Sequence, residues 1–229
     1  GPNDDANAQM TNSSSTLAGP PPVMAAYDSA VEGIEEAKAL ARESARTLTA
    51  HFGLHHPYVC RVQVALAHMD LHTVTHRHLN FRRELLQRCL TARHHLRAAL
   101  GPDHLDVGIV EEVTGLVALL QGTEAAAEIA MEKFDAAFQV ARRNSQLARQ
   151  QLLLTPITAA CSRLDRPLPA VVRPLVEEVV TRVLSTLGET SPELLEPLQN
   201  VAALYFLAGD YERAHHALGR SLKLADRTN

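Results

Sequence analysis

The chain has 229 residues, 46% of them hydrophobic but only 4% aromatic and none Trp, with a formal net charge of −4. That is enough apolar chain for one sizeable core built from Ala, Leu and Val, and such small aliphatic side chains favour close-packed helices over a β-sandwich. No basic run marks a nucleic-acid surface, no apolar run reaches membrane length, and Cys60, Cys89 and Cys161 are too few and too scattered for a disulfide framework or a cysteine-type zinc site.

Buried thiols of this kind fit a reducing, cytoplasmic compartment, and no apolar signal segment opens the chain. The Gly1-Pro2 start resembles the remnant of tag removal, so the chain reads as a piece of a longer protein. Residues 1–22, rich in Asn, Asp, Ser, Gly and Pro, are expected to form a disordered leader, because they bury too little apolar surface to offset their ordering entropy. From Val23 the pattern turns helical. Tyr27, Ile34, Ala41 and Leu48 recur every seven residues with Ala30 and Ala37 between them, opposite a polar face of Glu32, Glu35, Glu36, Lys38, Arg42 and Glu43. Gly53 should close this helix and Pro57 open the next. Further helices are predicted over 57–72, 77–100, 103–121, 123–143, 145–163, 169–187, 191–208 and 210–227, broken at Gly101-Pro102, Gly122, Asn144, 165–169, Gly188 and Gly209.

The breaks repeat. Leu100-Gly101-Pro102-Asp103-His104 and Leu187-Gly188-Glu189-Thr190-Ser191-Pro192 each end one helix and begin another, and Phe52-Gly53-Leu54-His55-His56-Pro57 is a third copy. The spacing from His104 to Gly122 equals that from Ser191 to Gly209. The segment from Asn200 to Ala214 places Ala202, Gly209, Tyr211 and Ala214 where a helix pair needs a close approach, a turn and two locking side chains. It resembles the core of a tetratricopeptide repeat (TPR), with Gly115, Gly122 and Ala127 at the matching places of an earlier copy. The long period and the Leu-Gly junction are similar to the repeats of kinesin light chains, although Leu105 stands in place of the usual Pro and the third unit lacks its turn Gly.

The resemblance implies an all-α, right-handed superhelical stack of antiparallel helix pairs over 23–229, in units 23–53, 54–100, 101–143, 144–187 and 188–229. A generic helical bundle or a HEAT-like stack is the other helical reading. In such a stack the first helix of each pair lines a concave groove that takes an extended peptide or a partner helix. The repeat register then implies groove residues Arg61, Val64, His68, Glu112, Leu116, Gln199, Ala203 and Phe206, with Thr155 and Ala159 in the unit 144–187. The last helix carries Ala214, Leu218, Ser221, Leu222 and Leu224 with nothing following to cover it, so self-association or a continuing chain is expected there. The expected role is a protein–protein interaction scaffold or adaptor without catalysis or cofactor, and the resemblance places it in a cytoskeletal or transport setting.

Two other functional readings stand beside it. One is a regulatory helical domain of a larger signalling protein or enzyme. The other is a metal- or pH-responsive module built on the histidines: twelve occur, and His68, His72 and His76 fall at helical spacing, with His78 and Asp70 nearby. No phosphate-loop, dinucleotide, nucleophile-elbow or HExxH motif occurs. Glu35-Glu36, Glu111-Glu112 and Glu177-Glu178 are expected on solvated helix faces, since helix neighbours point about 100° apart. No nucleophilic role is expected for Cys60 or Cys89, despite nearby histidines.

Overall fold

The computed structural model describes residues 22–73, 79–164, 172–188 and 190–228, and all the regular structure among them is helical. In chain order the helices are α1 (Pro22–Phe52), α2 (Pro57–Thr73), α3 (Leu79–Leu100), α4 (Leu105–Leu119), α5 (Glu124–Arg143), α6 (Leu147–Cys161), α7 (Val172–Leu187), α8 (Leu195–Leu207) and α9 (Tyr211–Thr228), with a 3₁₀ turn at Pro192–Leu194 leading into α8. The leader expected over 1–22 lies outside the described residues apart from Pro22, which opens α1.

Turn chemistry sets these boundaries. Gly53, Gly101, Gly122, Gly188 and Gly209 all have φ between 71° and 88°, the left-handed conformation that ends a helix and that side chains with a Cβ resist. At the α5–α6 junction, where no Gly is present, Ser145 takes the same conformation with φ 56°. Asn144 steadies that turn: its amide donates to the carbonyls of Asp103 and Val140, each at 2.8 Å. His104 and Thr123 cap α4 and α5, accepting from the backbone N–H of Asp106 and Ala126, each at 3.2 Å.

Consecutive helices pack against each other, α1 on α2 and onward. The tightest approach joins α4 and α5. Gly115 lies against the ring of Phe134 and Gly108 against Val140, so close that a Cβ at either position would collide. The core has two parts that meet on α4. Val107, Val110, Val113 and Val117 face Val64, Leu85, Cys89 and Leu96 of α2 and α3. Ala118 and Leu119 belong to a second cluster with Phe134, Phe138, Leu153, Leu154, Leu198 and Leu204.

Two polar positions depart from the sequence expectation. Lys38, placed by its periodicity on the polar face of α1, is buried at 4% exposure, while Ala37 is exposed. The reason is a carboxylate on α2: Asp70 takes Lys38 Nζ at 3.0 Å and Arg88 Nη1 of α3 at 3.1 Å. Burial alone would lower the Lys38 pKa, but the contacts with Glu35 and Asp70 outweigh it and raise the value. Glu111, expected on a solvated face, is buried at 3% exposure, because Arg93 of α3 pairs with one of its oxygens and Lys133 of α5 lies 4.0 Å from the other. Asp106 is likewise buried and meets Arg61 of α2 at 2.5 Å.

Candidate partner-binding groove

Along the stack the first helices of successive pairs touch: α2 on α4, α4 on α6, α6 on α8. Among the described residues no comparable packing joins the successive second helices α3, α5, α7 and α9. The side on which neighbours lie closer is the inner side of a curved stack, so α2, α4, α6 and α8 line the concave face.

Each of these helices carries one stripe that is left exposed or half-buried. On α2 it is Arg61, Ala65, His68 and His72; on α6, Leu152, Thr155 and Ala159; on α8, Glu196, Gln199 and Ala203. On α4 the corresponding Ile109, Glu112 and Leu116 are all half-buried, Ile109 and Leu116 packed against the core. The positions follow one another at three or four residues, one face of an α-helix. Arg61, His68, Glu112, Leu116, Thr155, Ala159, Gln199 and Ala203 thus lie on these stripes of the inner helices, exposed on α6 and at Arg61 and Gln199 and half-buried elsewhere. Val64 does not join them. It is buried at 3% exposure in the cluster with α3 and α4, and Ala65 holds the groove position instead. Ala65, Ile109, Leu152 and Glu196 were missed, although each lies three or four residues from a residue the register named.

Phe206 is exposed at 61%, but it lies at the end of α8 with its ring 5.5 Å from that of Tyr211. It continues the α8 stripe, three residues beyond Ala203. On α9, Leu218 and Leu222 are exposed, while Ala214, Ala217, Ser221 and Leu224 are buried, Ala217 and Leu224 in the core cluster. Ala214, Ser221 and Leu224, expected to be uncovered, therefore face inward.

Polar bridges fix the inner helices to one another. Arg61 reaches Asp106 from α2 to α4, Arg149 pairs with Glu112 from α6 to α4, and Thr155 donates to Glu196 Oε1 at 2.9 Å from α6 to α8, with Asn200 donating back to Thr155 at 3.0 Å. Burial raises the Glu112 pKa and the Arg149 charge opposes that shift. His68 is held below the ordinary histidine value by burial first, then by the His72 and Arg149 charges. The face running from α2 to α6 therefore carries a belt of paired charges of both signs.

The rings of His68 and His72 lie 5.2 Å apart. Asp70 is occupied by Lys38 and Arg88 instead of joining them, and His76 and His78 lie outside the described residues. Among the described residues no three metal-ligating side chains converge. His55 of the α1–α2 turn stacks on His95 of α3 with centroids 4.0 Å apart, at the rim of a cleft of about 600 Å³ on the face of α2 opposite the groove. The thiols are buried, and burial pushes Cys89 up to about 11 and Cys161 to about 12, so neither is a thiolate near neutrality. Among the described residues no helix is long and apolar enough to cross a membrane.

No family model and no curated protein matches the chain. Solved structures do. A candidate kinesin light chain from Podosopora anserina, with nearly identical TPR-like repeats, superposes with a TM-score of 0.63 at 17% identity, over 86% of this chain and 89% of that one. A point variant of the same protein gives the same TM-score and identity over 85% and 88%. At such identity the likeness is one of fold: the chain is an all-α, TPR-like helical repeat, a stack of antiparallel helix pairs. Repeats of this fold generally act as protein–protein interaction scaffolds and typically do so without catalysis.

Proposed function

We propose that this chain is a scaffold or adaptor that binds an extended peptide or a helical segment of a partner protein in the groove lined by α2, α4, α6 and α8. One observation carries the reading: four successive inner helices present one stripe each, exposed on α2, α6 and α8 and half-buried on α4, and the three junctions between them are already tied by polar side chains. Small residues at Ala65, Ala159 and Ala203 leave room above the floor. Leu116 and Ile109 offer apolar footing between the charges of Arg61, Arg149 and Glu196, a mixture suited to a peptide with both apolar and charged side chains. A groove fixed in advance loses little entropy when it binds.

The groove residues we assign are Arg61, Ala65, His68, Glu112, Leu116, Thr155, Ala159, Gln199 and Ala203, carried on repeat units that run from 54 to 229. The kinesin-light-chain likeness supports a cytoplasmic role in a cytoskeletal or transport setting, as an adaptor without catalysis or cofactor. The test is to pan a library of displayed peptides against the folded chain and then against Ala65→Glu and Ala203→Glu, which fill the groove without touching the core. Peptides that lose binding to both variants support the groove. Peptides that bind the variants unchanged overturn it.

A second reading concerns the exposed face of α9. Leu218 and Leu222 are exposed there at 47% and 65%, and we infer that the chain self-associates through that face.

A further inference from the structure

The outer helices differ in how their charges are answered. Glu177 and Glu178, adjacent on α7, reach opposite ways: Glu177 takes Arg213 Nη1 of α9 at 2.5 Å, and Glu178 takes Arg142 Nε of α5 at 3.0 Å. Each gap beside α7 thus sets an arginine on one wall against a carboxylate on the other. The gap between α1 and α3, floored by α2, has arginines on both walls: Arg42 and Arg46 one turn apart on α1, Arg83 and Arg88 on α3. The two carboxylates that line it are already taken, Asp70 by Lys38 and Arg88, Glu84 by Arg88. Arg42, Arg46 and Arg83 are exposed and enter no ion pair among the described residues.

The same gap is an open cleft. Two adjoining hollows of about 650 and 600 Å³ share Gln63 and Arg88 as lining. Both walls and the floor are helices of this chain, and each wall packs on α2, with no comparable packing of α1 on α3 among the described residues. Buried Ala45, Leu66, Cys60 and Ala92 give the cleft an apolar lining beneath its arginines.

We propose that this cleft is a second binding surface, on the outer face of the stack, for an extended acidic segment of a partner protein with consecutive Asp or Glu among small apolar residues. The carboxylates of that segment supply between α1 and α3 what Glu177 and Glu178 supply beside α7. Guanidinium groups suit the task, because their planar forks take carboxylates bidentately and are weakly hydrated. The apolar lining receives the side chains between the carboxylates. Arg42, Arg46, Arg83 and Arg88 outnumber Asp70 and Glu84, so the cleft is positive on a chain of net charge −4. The attraction is therefore local, and the rest of the surface disfavours a long polyanion such as nucleic acid. The cleft lies across α2 from the concave groove and does not rest on that assignment.

The experiment is fluorescence anisotropy of a labelled peptide of about twelve residues, alternating Glu-Glu with Ala-Leu, titrated with the full chain. Binding should saturate with a Kd of roughly 10–100 µM and weaken as salt is raised. Arg46→Glu and Arg83→Glu, one on each wall, should each weaken it roughly tenfold with an unchanged helical circular dichroism spectrum. Arg227→Glu, the same charge change near the end of α9, should leave it within about twofold, as should Ala65→Glu in the groove. A peptide with Gln for every Glu should not bind. No binding of the acidic peptide overturns the inference, and so does equal weakening by Arg227→Glu, which would reduce the effect to net charge. Loss in Ala65→Glu with Arg46→Glu and Arg83→Glu unaffected would move the peptide to the concave groove. A single-stranded oligonucleotide of equal charge that binds as tightly, and is lost in the same two variants, would assign the cleft to nucleic acid instead.

Discussion

Gly115 lies where α4 crosses α5, and a Cβ there would fall 2.5 Å from the ring of Phe134, which is fully buried and has no room to retreat. Gly219, in the middle of α9, has nothing within 4 Å of the same point. The two glycines therefore answer one substitution with opposite signs. In a helix interior alanine is favoured over glycine by about 1 kcal/mol, and at Gly219 nothing opposes that gain. Gly219→Ala should stabilise the fold by about 0.5–1 kcal/mol. At Gly115 the propensity gain is outweighed by overpacking of about 1–3 kcal/mol and more where no neighbour can yield, so Gly115→Ala should be destabilising. Urea denaturation of both variants beside the parent checks the pair. Equal shifts in the same direction would show that α4 and α5 can part without loss, contrary to the packing described above. The sequence marked Gly115 through its place in the repeat, where a small residue lets two helices approach. It gave no means of telling Gly219 apart, since a glycine with open space beside it and a crossing glycine look alike until the partner helix is in place.

Asp70 on α2 and Glu111 on α4 do one job in successive layers: each carboxylate, buried on an inner helix, draws in cations from the outer helices on either side. Asp70 takes Lys38 of α1 and Arg88 of α3, and Glu111 takes Arg93 of α3 with Lys133 of α5 nearby. Removing Asp70 leaves Lys38 with Glu35 and Arg88 with Glu84. The Lys38 side chain is only 6% exposed, so Asp70→Ala should cost about 1–3 kcal/mol, whereas Asp70→Ala combined with Lys38→Met should lie closer to the parent, because a buried pair replaced by apolar groups leaves no uncompensated charge. A double-mutant cycle by denaturant unfolding measures this, and additive losses would count against the bridge. These layers are also where the sequence was least legible. Helix boundaries could be read because Gly53, Gly101, Gly122, Gly188 and Gly209 announce a left-handed turn by residue type alone. Lys38 and Glu111 gave no such signal: charge and periodicity alone put them on solvent faces, and only the approach of a third helix turns those faces inward. The stripes on the inner helices were legible for the same reason as the turns, since they follow the repeat. The miss at Val64 was a shift of one residue, enough on a helix to rotate a side chain by about 100°, from the exposed stripe into the core.

The two core clusters meet on α4 but share few other walls, and the chain should come apart accordingly. Val107, Val110, Val113 and Val117 close the cluster with α2 and α3, and Ala118 and Leu119 open the one that runs through α5, α6, α8 and α9. In a stack whose layers touch only their neighbours, stability is close to a sum of local terms, and a defect is felt first where it is made. Leu85 of α3 is fully buried in the first cluster. Leu85→Ala should cost about 2–5 kcal/mol as a cavity-forming change, and native-state hydrogen exchange should show the loss in α2 and α3, with protection in α8 and α9 kept near the parental level. The matching change in the second cluster, Leu153→Ala in α6, should invert the pattern. Uniform acceleration through all helices in both variants would mean that α4 couples the two halves into one cooperative unit. The groove would then form and dissolve as a whole. If the halves open separately, the α2–α4 wall carrying Arg61, His68 and Glu112 can loosen while the α6–α8 wall stays ordered, and a partner touching both walls would bind the more weakly by the cost of closing the loosened one.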